Sequence, residues 1–430
     1  MSDYFYQKCG NKVVDDFISY THLKKYGKME FISYSKFTDI TFINEGGFSK
    51  IYKATWKEGP RDWNAPPPYR SGKMIVTLKE LNDSNNINSG ELEELYNYSL
   101  NSINETGYAY YDHVNYINKY FGFTQNPFTK NFMIITKYYE SGDLRNHLII
   151  DFYKITWFDK LLKLQFIIGG LKNIHDVNII HRDYHSGNIF LASYGIPITS
   201  DIGLNKSALC SSKNEIYGVI PYVSPEIFQG QKYTKASDIY SFGMIMWELM
   251  TGRRPFWDKV HDTKLIVEIC DGLRPPIVTN APDGYIELMK ECWHSNPNER
   301  PTASNLLHKV KTMLAYEMNR ENQTKIIESP YIGPVPTNNP GAIYKSRPLN
   351  EMINSAILTI NLRNLNVTSK IDKRKIDDLI KDNYENDKFN KKIKSFESEH
   401  NDYLMELDNG IETNTGESNN YYYIAEGIFN

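Results

Sequence analysis

The stretch IIHRDYHSGNIFLASYGIPITSDIGL, from Ile179 to Leu204, organises the rest of the chain. Its apolar runs, Ile179-Ile180 and Ile189-Phe190-Leu191, predict short buried strands, and the Ser-Gly and Tyr-Gly-Ile-Pro pieces predict turns that join them. The polar residues between the apolar runs are therefore expected to stand on turns that core strands hold in place.

Two carboxylates and one carboxamide recur at short spacing in this stretch. Asp183 precedes Asn188 by five residues, and Asp201 follows Asn188 by thirteen. Together they supply a proton acceptor and oxygen ligands for a hard cation such as Mg²⁺. Moving a phosphoryl group needs positioning and charge neutralisation more than covalent help, so this set predicts a phosphoryl-transfer site.

These residues carry a family resemblance. His181-Arg182-Asp183 with Asn188 resembles the H-R-D-x-x-x-x-N catalytic loop of protein kinases, and Asp201-Ile202-Gly203 resembles their D-F-G triplet with Ile for Phe. The similarity runs from about Phe37 to about Met318, and the chain resembles the tyrosine-kinase-like protein kinases that are expanded in some fungi. It implies a bilobal α+β fold, with a small β-rich N-lobe with one main helix at 37–138 and a larger helical C-lobe at 139–318.

Composition bounds the remaining possibilities. The chain has 430 residues, a mass of 50.0 kDa, a formal charge of −3 and a pI near 6.4, which gives no reason to expect nucleic acid or an anionic membrane as partner. It shows neither an N-terminal apolar signal region nor an apolar run of membrane-spanning length. The four cysteines form no C-x-x-C pair, so we expect reduced thiols and a cytosolic or nuclear protein.

The segment 37–56 alternates like paired strands, with a turn at Glu45-Gly46-Gly47. It resembles the kinase glycine-rich loop G-x-G-x-x-G-x-V, although only the middle glycine, Gly46, is present. Asn44 and Ser49 take the outer glycine places, and Ile51 takes that of the Val. Taken alone, the segment is equally consistent with an ordinary β-hairpin.

A lysine ends the next predicted strand. Such a lysine is usually a solvated strand end, but Val76-Thr77-Leu78-Lys79 resembles the V-A-I-K motif, which implies that Lys79 binds the α- and β-phosphates of ATP. Thr77 replaces the small residue that faces the adenine. A helical pattern follows from Glu91, and the resemblance implies that Glu94, or Glu91 one turn earlier, pairs with Lys79.

The resemblance also implies a nucleotide pocket. Thr136 would be the gatekeeper beside the adenine, and the backbone of Lys137 to Tyr139 would form hydrogen bonds with it. The residues expected to bind the nucleotide are Ile43, Asn44, Gly46, Gly47, Ser49, Ile51, Thr77, Lys79, Thr136, Tyr138 and Phe190.

Roles in catalysis follow from the same resemblance. Asp183 would accept or orient the proton of the acceptor hydroxyl, and Asn188 and Asp201 would hold Mg²⁺. His181 would brace the loop. His185 stands where typical serine/threonine kinases have a Lys that contacts the γ-phosphate.

Residues 201–226 resemble the activation segment, which ends in Ser224-Pro225-Glu226 where the family has A-P-E. The segment carries neither the marker residue of serine/threonine kinases nor that of tyrosine kinases, so the acceptor type stays open. Asp238 is expected to cap its helix or to reach the catalytic-loop backbone, and Arg300 to form a buried ion pair with Glu226.

Two flanking segments complete the domain plan. Residues 1–36 are expected to form an N-terminal extension that lies on the first lobe, with one amphipathic helix near Val13 to Leu23. Residues 319–430 are rich in Asn, Lys, Asp and Glu with scattered apolar residues, which predicts a mostly disordered tail that serves as a spacer or a docking segment.

The hypothesis is an ATP- and Mg²⁺-dependent protein kinase that acts on Ser or Thr, and on Tyr as a further acceptor, in intracellular signalling. A pseudokinase scaffold is the alternative, because Asn44, Ser49, Thr77 and His185 depart from the family pattern. A small-molecule phosphotransferase of kinase-like fold shares the Asp and Asn spacing, but it does not account for Arg182, Arg300 and the Ser-Pro-Glu motif. The expected partners are ATP and a protein substrate.

Overall fold

The computed structural model describes residues 7–23, 28–46, 49–63, 65, 67–84, 92, 116–201, 216–318, 323–335 and 337–368. Its helices are α1 (Lys12–His22), α2 (Leu144–Asp151), α3 (Trp157–Asp176), α4 (Pro225–Phe228), α5 (Lys235–Thr251), α6 (Thr263–Cys270), α7 (Tyr285–Cys292), α8 (Ala303–Glu317) and α9 (Asn350–Thr368). Its strands are β1 (Glu30–Phe31), β2 (Phe37–Glu45), β3 (Ser49–Trp56), β4 (Arg61–Asp62), β5 (Tyr69–Arg70), β6 (Met74–Leu81), β7 (Tyr120–Gln125), β8 (Phe132–Lys137), β9 (Ile189–Leu191), β10 (Pro197–Thr199), β11 (Tyr217–Gly218) and β12 (Arg347–Pro348). In these ranges we find no helix with the length and apolar character that a membrane crossing requires.

The small lobe is a six-stranded sheet in the order β1-β7-β8-β6-β3-β2. All neighbouring strands are antiparallel except β1, which runs parallel to β7. Side chains alternate between the faces, so Val76 and Leu78 of β6 pack into one apolar cluster while Leu81 packs into another. Lys79 therefore leaves the strand on the face opposite to Val76 and Leu78. The predicted β-rich N-lobe is confirmed.

The described part of the N-terminal segment belongs to this lobe. Helix α1 begins at the cap Asn11 and buries Val14, Phe17 and Ile18, as its amphipathic pattern predicts. Strand β1 lies so close to β7 that a Cβ on Gly122 would fall 1.9 Å from the Glu30 carbonyl oxygen. Glycine is therefore required at this approach. The sequence predicts an extension that lies on the lobe, and the structure shows that it also adds a strand to the sheet.

One apolar cluster, which we call the back cluster, joins the lobes behind the sheet. It contains Val14 and Ile18 of α1, Phe123 of β7, and Ile174 and Ile179 from the end of α3 and the turn after it. The lobes are thus in contact away from the cleft as well as along it.

Helices α3 and α5 form the centre of the large lobe. Helix α3 begins with a capping box in which Thr156 and Asp159 exchange hydrogen bonds, and nearly every residue of α5 is buried. The predicted strand at Ile179-Ile180 is wrong, because the Ile179 amide is still bonded to the Ile174 carbonyl at the end of α3. The predicted strand Ile189–Leu191 exists as β9 and pairs with β10.

The described residues 323–335 and 337–360 of the C-terminal segment pack on the large lobe, while the mostly disordered tail over 319–430 as a whole stays a prediction. Leu349, Ile353 and Ala356 are buried beside α4 and α6, and β12 pairs antiparallel with β11. These anchoring residues pack against the large lobe, whereas other apolar residues of the segment, such as Ile327 and Tyr331, are exposed. Such anchors leave no periodic pattern in the sequence, so composition alone could not reveal them.

Candidate active site

A cavity of about 480 Å³ lies between the sheet and the large lobe, within the usual range for a ligand site. Nearly all residues that the sequence assigns to the nucleotide pocket line it, namely Ile43, Asn44, Gly46, Ser49, Ile51, Thr77, Lys79, Thr136, Tyr138 and Phe190. The predicted catalytic residues Asp183, Asn188 and Asp201 line the same cavity. Gly47 and Glu94 lie outside the described residues, as does Glu91.

Lys79 points into the cavity from the sheet. Its register on β6 places it between Ile51 of β3 and Ile134 of β8, and its Nζ atom lies 2.9 Å from Oδ1 of Asp201. The Lys79 side chain is 10% exposed, whereas the Asp201 side chain is 29% exposed. The ammonium group thus faces a carboxylate from the large lobe, and the pairing with Glu94 stays a prediction.

Asp183 is a buried carboxylate at the floor of the cavity, 7% exposed. Nε2 of His185 lies 3.6 Å from its Oδ1. Burial raises the pKa of the Asp183 carboxyl, but the charge and hydrogen bond of His185 and the hydroxyl of Ser346 outweigh that effect, so that the pKa lies below its usual value. Asp183 is therefore ionised at neutral pH and can accept a proton.

The carboxamide of Asn188 has a fixed orientation. Its Nδ2 donates to the Asp183 carbonyl at 2.8 Å, and its backbone carbonyl accepts from the Ser200 amide at 2.9 Å. The amide nitrogen of the side chain is thus turned toward the loop, which makes Oδ1 the atom that a cation can use.

Asn188 and Asp201 are the predicted ligands of a metal ion. In the part of the chain that the structure describes, no three side chains of His, Cys, Asp or Glu cluster as a metal cage. Mg²⁺ does not need such a cage, because it commonly binds one or two carboxylates together with water and substrate phosphates. One amide oxygen and one carboxylate at the edge of a nucleotide-sized cavity fit that mode.

The carboxylate of Asp238 fixes the backbone of the catalytic loop. Its carboxylate accepts from the amides of His181 at 2.8 Å and Arg182 at 3.0 Å, and it lies 2.9 Å from Nε2 of His175. Arg182 has a φ of 69°, a left-handed conformation that costs free energy in a non-glycine residue. The hydrogen bonds of Asp238 hold that conformation. Of its two predicted roles, reaching the loop backbone is the one observed, and Thr234 provides the helix cap.

His181 braces the loop from inside. It is fully buried, and burial lowers the pKa of its imidazole, so the ring is neutral. Nε2 lies 3.0 Å from the Ser200 carbonyl oxygen, which can only accept, so Nε2 carries the proton. The bond ties the loop to the residue before Asp201.

Arg300 and Glu226 form a doubly hydrogen-bonded ion pair. Nη1 and Nη2 of Arg300 lie 2.7 and 2.8 Å from the two carboxylate oxygens. Burial raises the pKa of Glu226, but the hydrogen bonds and charge of Arg300 outweigh it and lower the pKa. The predicted pair is present, and it fixes the end of the activation segment to the loop before α8.

Several residues that line the cavity were not expected from the sequence. Asn118 donates to the Ser200 hydroxyl at 2.9 Å and accepts from the Tyr139 hydroxyl at 3.1 Å. Tyr344, Lys345 and Ser346 enter the cavity from the C-terminal segment. Asn118 sits before a strand without any motif, and the other three lie in a stretch whose composition predicted disorder.

Comparisons with known proteins agree with this geometry. Residues 38–310 match a family described as protein tyrosine and serine/threonine kinase. A putative serine/threonine-protein kinase/receptor of Acanthamoeba polyphaga mimivirus is 31% identical over 182 residues, which is 42% of this chain and 11% of that protein. A probable LIM domain-containing serine/threonine-protein kinase of Dictyostelium discoideum is 28% identical over 49% of this chain and 32% of its own length.

A third relative is named as a receptor alone. Ephrin type-B receptor 2 of Gallus gallus is 32% identical over 190 residues, which is 42% of this chain and 19% of the receptor. In these three comparisons the aligned part spans between 11% and 32% of the relative. The similarity thus concerns one domain of longer proteins.

Proposed function

The chain belongs to the protein tyrosine and serine/threonine kinase family, and we propose that it is an ATP- and Mg²⁺-dependent kinase of serine and threonine hydroxyls in proteins. The observation that carries the proposal is the convergence of Lys79, Asp183, Asn188 and Asp201 on one cavity. Relatives named as serine/threonine-protein kinases favour that acceptor type. Tyrosine is the second candidate acceptor.

Each side chain has a role that its position supports. Lys79 would bind the α- and β-phosphates of ATP from the sheet side, and Asn188 and Asp201 would hold the metal ion. Mg²⁺, when bound, neutralises charge on the β- and γ-phosphates. Asp183 would take the proton of the acceptor hydroxyl, an effect that is typically worth about a hundred- to ten-thousand-fold in rate.

The pseudokinase alternative rests on Asn44, Ser49, Thr77 and His185. Thr77 lies opposite Thr136 in the sheet, and both line the cavity of about 480 Å³, so that the cavity is present with threonine at position 77. His185 approaches Asp183 rather than closing the cavity. These departures therefore do not remove the groups that handle phosphate and metal.

Radiolabelled ATP with Mg²⁺ and a generic protein substrate tests the proposal. We expect label in protein for the wild-type chain and none for Asp183→Asn. Asp176→Asn is the matched control, because Asp176 is an exposed carboxylate at the end of α3 that pairs with Lys172. This variant should leave transfer unchanged. Label that persists in Asp183→Asn would overturn the assignment of the proton acceptor, and phosphoamino-acid analysis of the product identifies the acceptor.

Finer assignments belong to the same proposal. We place the chain in the tyrosine-kinase-like group of the kind expanded in fungi, on the resemblance of its catalytic loop with His185. We also propose an intracellular signalling role in the cytoplasm or nucleus. The free thiols of Cys9, Cys270 and Cys292 support a reducing compartment.

A further inference from the structure

The C-terminal segment delivers a hydroxyl to the predicted proton acceptor. Ser346 lines the cavity together with Asp183, Asn188 and Asp201. Its Oγ atom is buried, and it has no well-formed hydrogen bond to any described residue. The same hydroxyl is among the groups that lie next to the Asp183 carboxylate. A buried serine hydroxyl thus lies beside a carboxylate that can remove its proton.

The backbone around Ser346 is held as an added strand. In the antiparallel pair of β11 and β12, Gly218 is opposite Arg347 and Tyr217 is opposite Pro348. The Leu349 amide donates to the Ile216 carbonyl at 2.9 Å. Peptide recognition by strand addition uses this kind of main-chain pairing, with alternate side chains for specificity. The segment therefore has the geometry of a bound acceptor peptide on the activation segment.

Side chains on both sides of Ser346 fix its position along the groove. Two residues before it, the Tyr344 ring lies 3.8 Å from the Arg254 guanidinium, and its hydroxyl donates to the Pro255 carbonyl at 2.9 Å. Three residues after it, Leu349 is fully buried in the cluster that includes Val223 and Phe228. Two anchors at this spacing leave Ser346 little freedom to slide away from Asp183.

The same segment is also anchored further upstream on the large lobe. The Gly333 amide donates to the Thr251 carbonyl at 2.7 Å, and the Tyr153 hydroxyl donates to the Ile332 carbonyl at 3.0 Å. The Asn339 amide donates to the Trp257 carbonyl at 2.9 Å. The hydroxyl is thus presented by its own chain, which converts a bimolecular encounter into an intramolecular one.

We propose that Ser346 is a built-in phosphoacceptor, which the site phosphorylates within the same molecule. Ser346 Oγ forms a bond to the γ-phosphorus of ATP, and its proton passes to the Asp183 carboxylate. The bond from the γ-phosphorus to the β–γ bridging oxygen breaks, and its electron pair leaves with ADP. The proposal rests on the proposed kinase function and adds the identity of one substrate.

Phosphorylation of Ser346 would change the charge of the C-terminal segment. A phosphoserine at position 346 carries close to two negative charges at neutral pH, and it would lie beside the ionised Asp183. Like charges at short distance repel, so phosphorylation should weaken the hold of the groove on this segment. Transfer to other protein substrates is then expected to accelerate as Ser346 becomes phosphorylated.

Site mapping by mass spectrometry of the full chain tests the proposal. Phosphatase-treated protein is incubated with ATP and Mg²⁺, and we expect phosphate on Ser346 with a first-order rate that does not depend on protein concentration. Ser346→Ala should remove that site. Ser329→Ala is the matched control, because Ser329 lies in the same segment but bonds to the Tyr331 amide outside the cleft, and it should leave Ser346 phosphorylation unchanged.

A mixing experiment separates the possible failures. Asp183→Asn protein mixed with wild type should acquire no phosphate on its Ser346, because the transfer is intramolecular. If the wild-type chain phosphorylates a generic protein while its own Ser346 stays unlabelled, the inference is overturned and the kinase function stands. The same holds if Ser346 of the Asp183→Asn chain becomes labelled. Absence of transfer to any protein would overturn both.

Discussion

Lys79 and Asp201 meet across the cleft, with 2.9 Å between the ammonium nitrogen and one carboxylate oxygen. The two groups belong to opposite lobes, so the pair brings the predicted phosphate-binding cation and the predicted metal ligand into one place. A triphosphate with Mg²⁺ would place its negatively charged oxygens between these two groups, which now neutralise each other.

Replacing Lys79 tests that arrangement. Lys79→Met should reduce phosphoryl transfer by about a hundredfold or more, since preorganised electrostatic groups contribute on that scale. Initial rates at saturating substrate give the measurement. Lys264→Met is the control, because Lys264 is exposed on α6 and should leave the rate unchanged. A Lys79→Met chain with wild-type activity would contradict the assignment of the phosphate-binding lysine.

Breaking the Glu226–Arg300 ion pair should lower the stability of the fold, although the pair is not directly involved in the chemistry. Arg300→Ala leaves the buried Glu226 carboxylate uncompensated, so the free energy of unfolding should fall by about 3 to 5 kcal/mol. Urea denaturation followed by circular dichroism measures the change. The exposed pair of Lys309 and Glu291, at 2.6 Å, is the comparison, and Lys309→Ala should cost less than about 1 kcal/mol. Equal losses in the two variants would refute the distinction.

Asp238 is expected to act as a positioning residue. In Asp238→Asn, the side-chain NH2 group would face one of the two backbone N–H groups of the loop, so one of the two hydrogen bonds is lost. The His181–Arg182 backbone should therefore shift. We expect kcat to fall at least about tenfold, as small misplacements of catalytic groups do, with the KM for ATP nearly unchanged. Asp262→Asn serves as control because Asn caps a helix as well as Asp does. Loss of stability alone, with kcat retained, would rule out the positioning role.

Lys160 gives a prediction about pH. Its side chain is 0% exposed, its Nζ lies 4.0 Å from the centre of the Phe152 ring, and burial lowers its pKa to about 7. The unfolded chain therefore binds more protons than the folded one between about pH 7 and the ordinary lysine pKa near 10.4. Folding stability from this group rises with pH across that interval.

Lys160→Met should remove this contribution. The variant is expected to be more stable than wild type at pH 7, and the difference should shrink by about 2 kcal/mol between pH 7 and pH 9. Denaturant titrations at both pH values measure it, with Lys172→Met, on the solvent side of the same helix, as control. A difference that stays constant with pH would show that Lys160 keeps an ordinary pKa.

The sequence predicts the site better than its surroundings. Asp183, Asn188 and Asp201 meet because short turns between paired strands fix their separation, and that constraint is visible as spacing. Glu226 and Arg300 are distant in sequence, and only the family resemblance predicts that they form a pair. The contact of Lys79 with Asp201 depends on how the lobes are placed, which no local pattern records.

The errors have physical reasons of the same kind. Ile179-Ile180 has the composition of a strand, but the preceding helix already uses its backbone. Ser346 lies in a polar stretch. This stretch lies along the large lobe because the side chains of Tyr344 and Leu349 pack against that lobe. Both outcomes are tertiary effects that override local preference.

The back cluster has a consequence for turnover. Kinase cycles require the nucleotide product to leave, and that requires the lobes to swing apart. In this chain such a swing would pull Ile174 and Ile179 away from Val14, Ile18 and Phe123, and exposing apolar surface costs about 25 cal/mol per Å². We therefore expect helix α1, which does not line the cavity, to contribute to the barrier for ADP release in the proposed kinase.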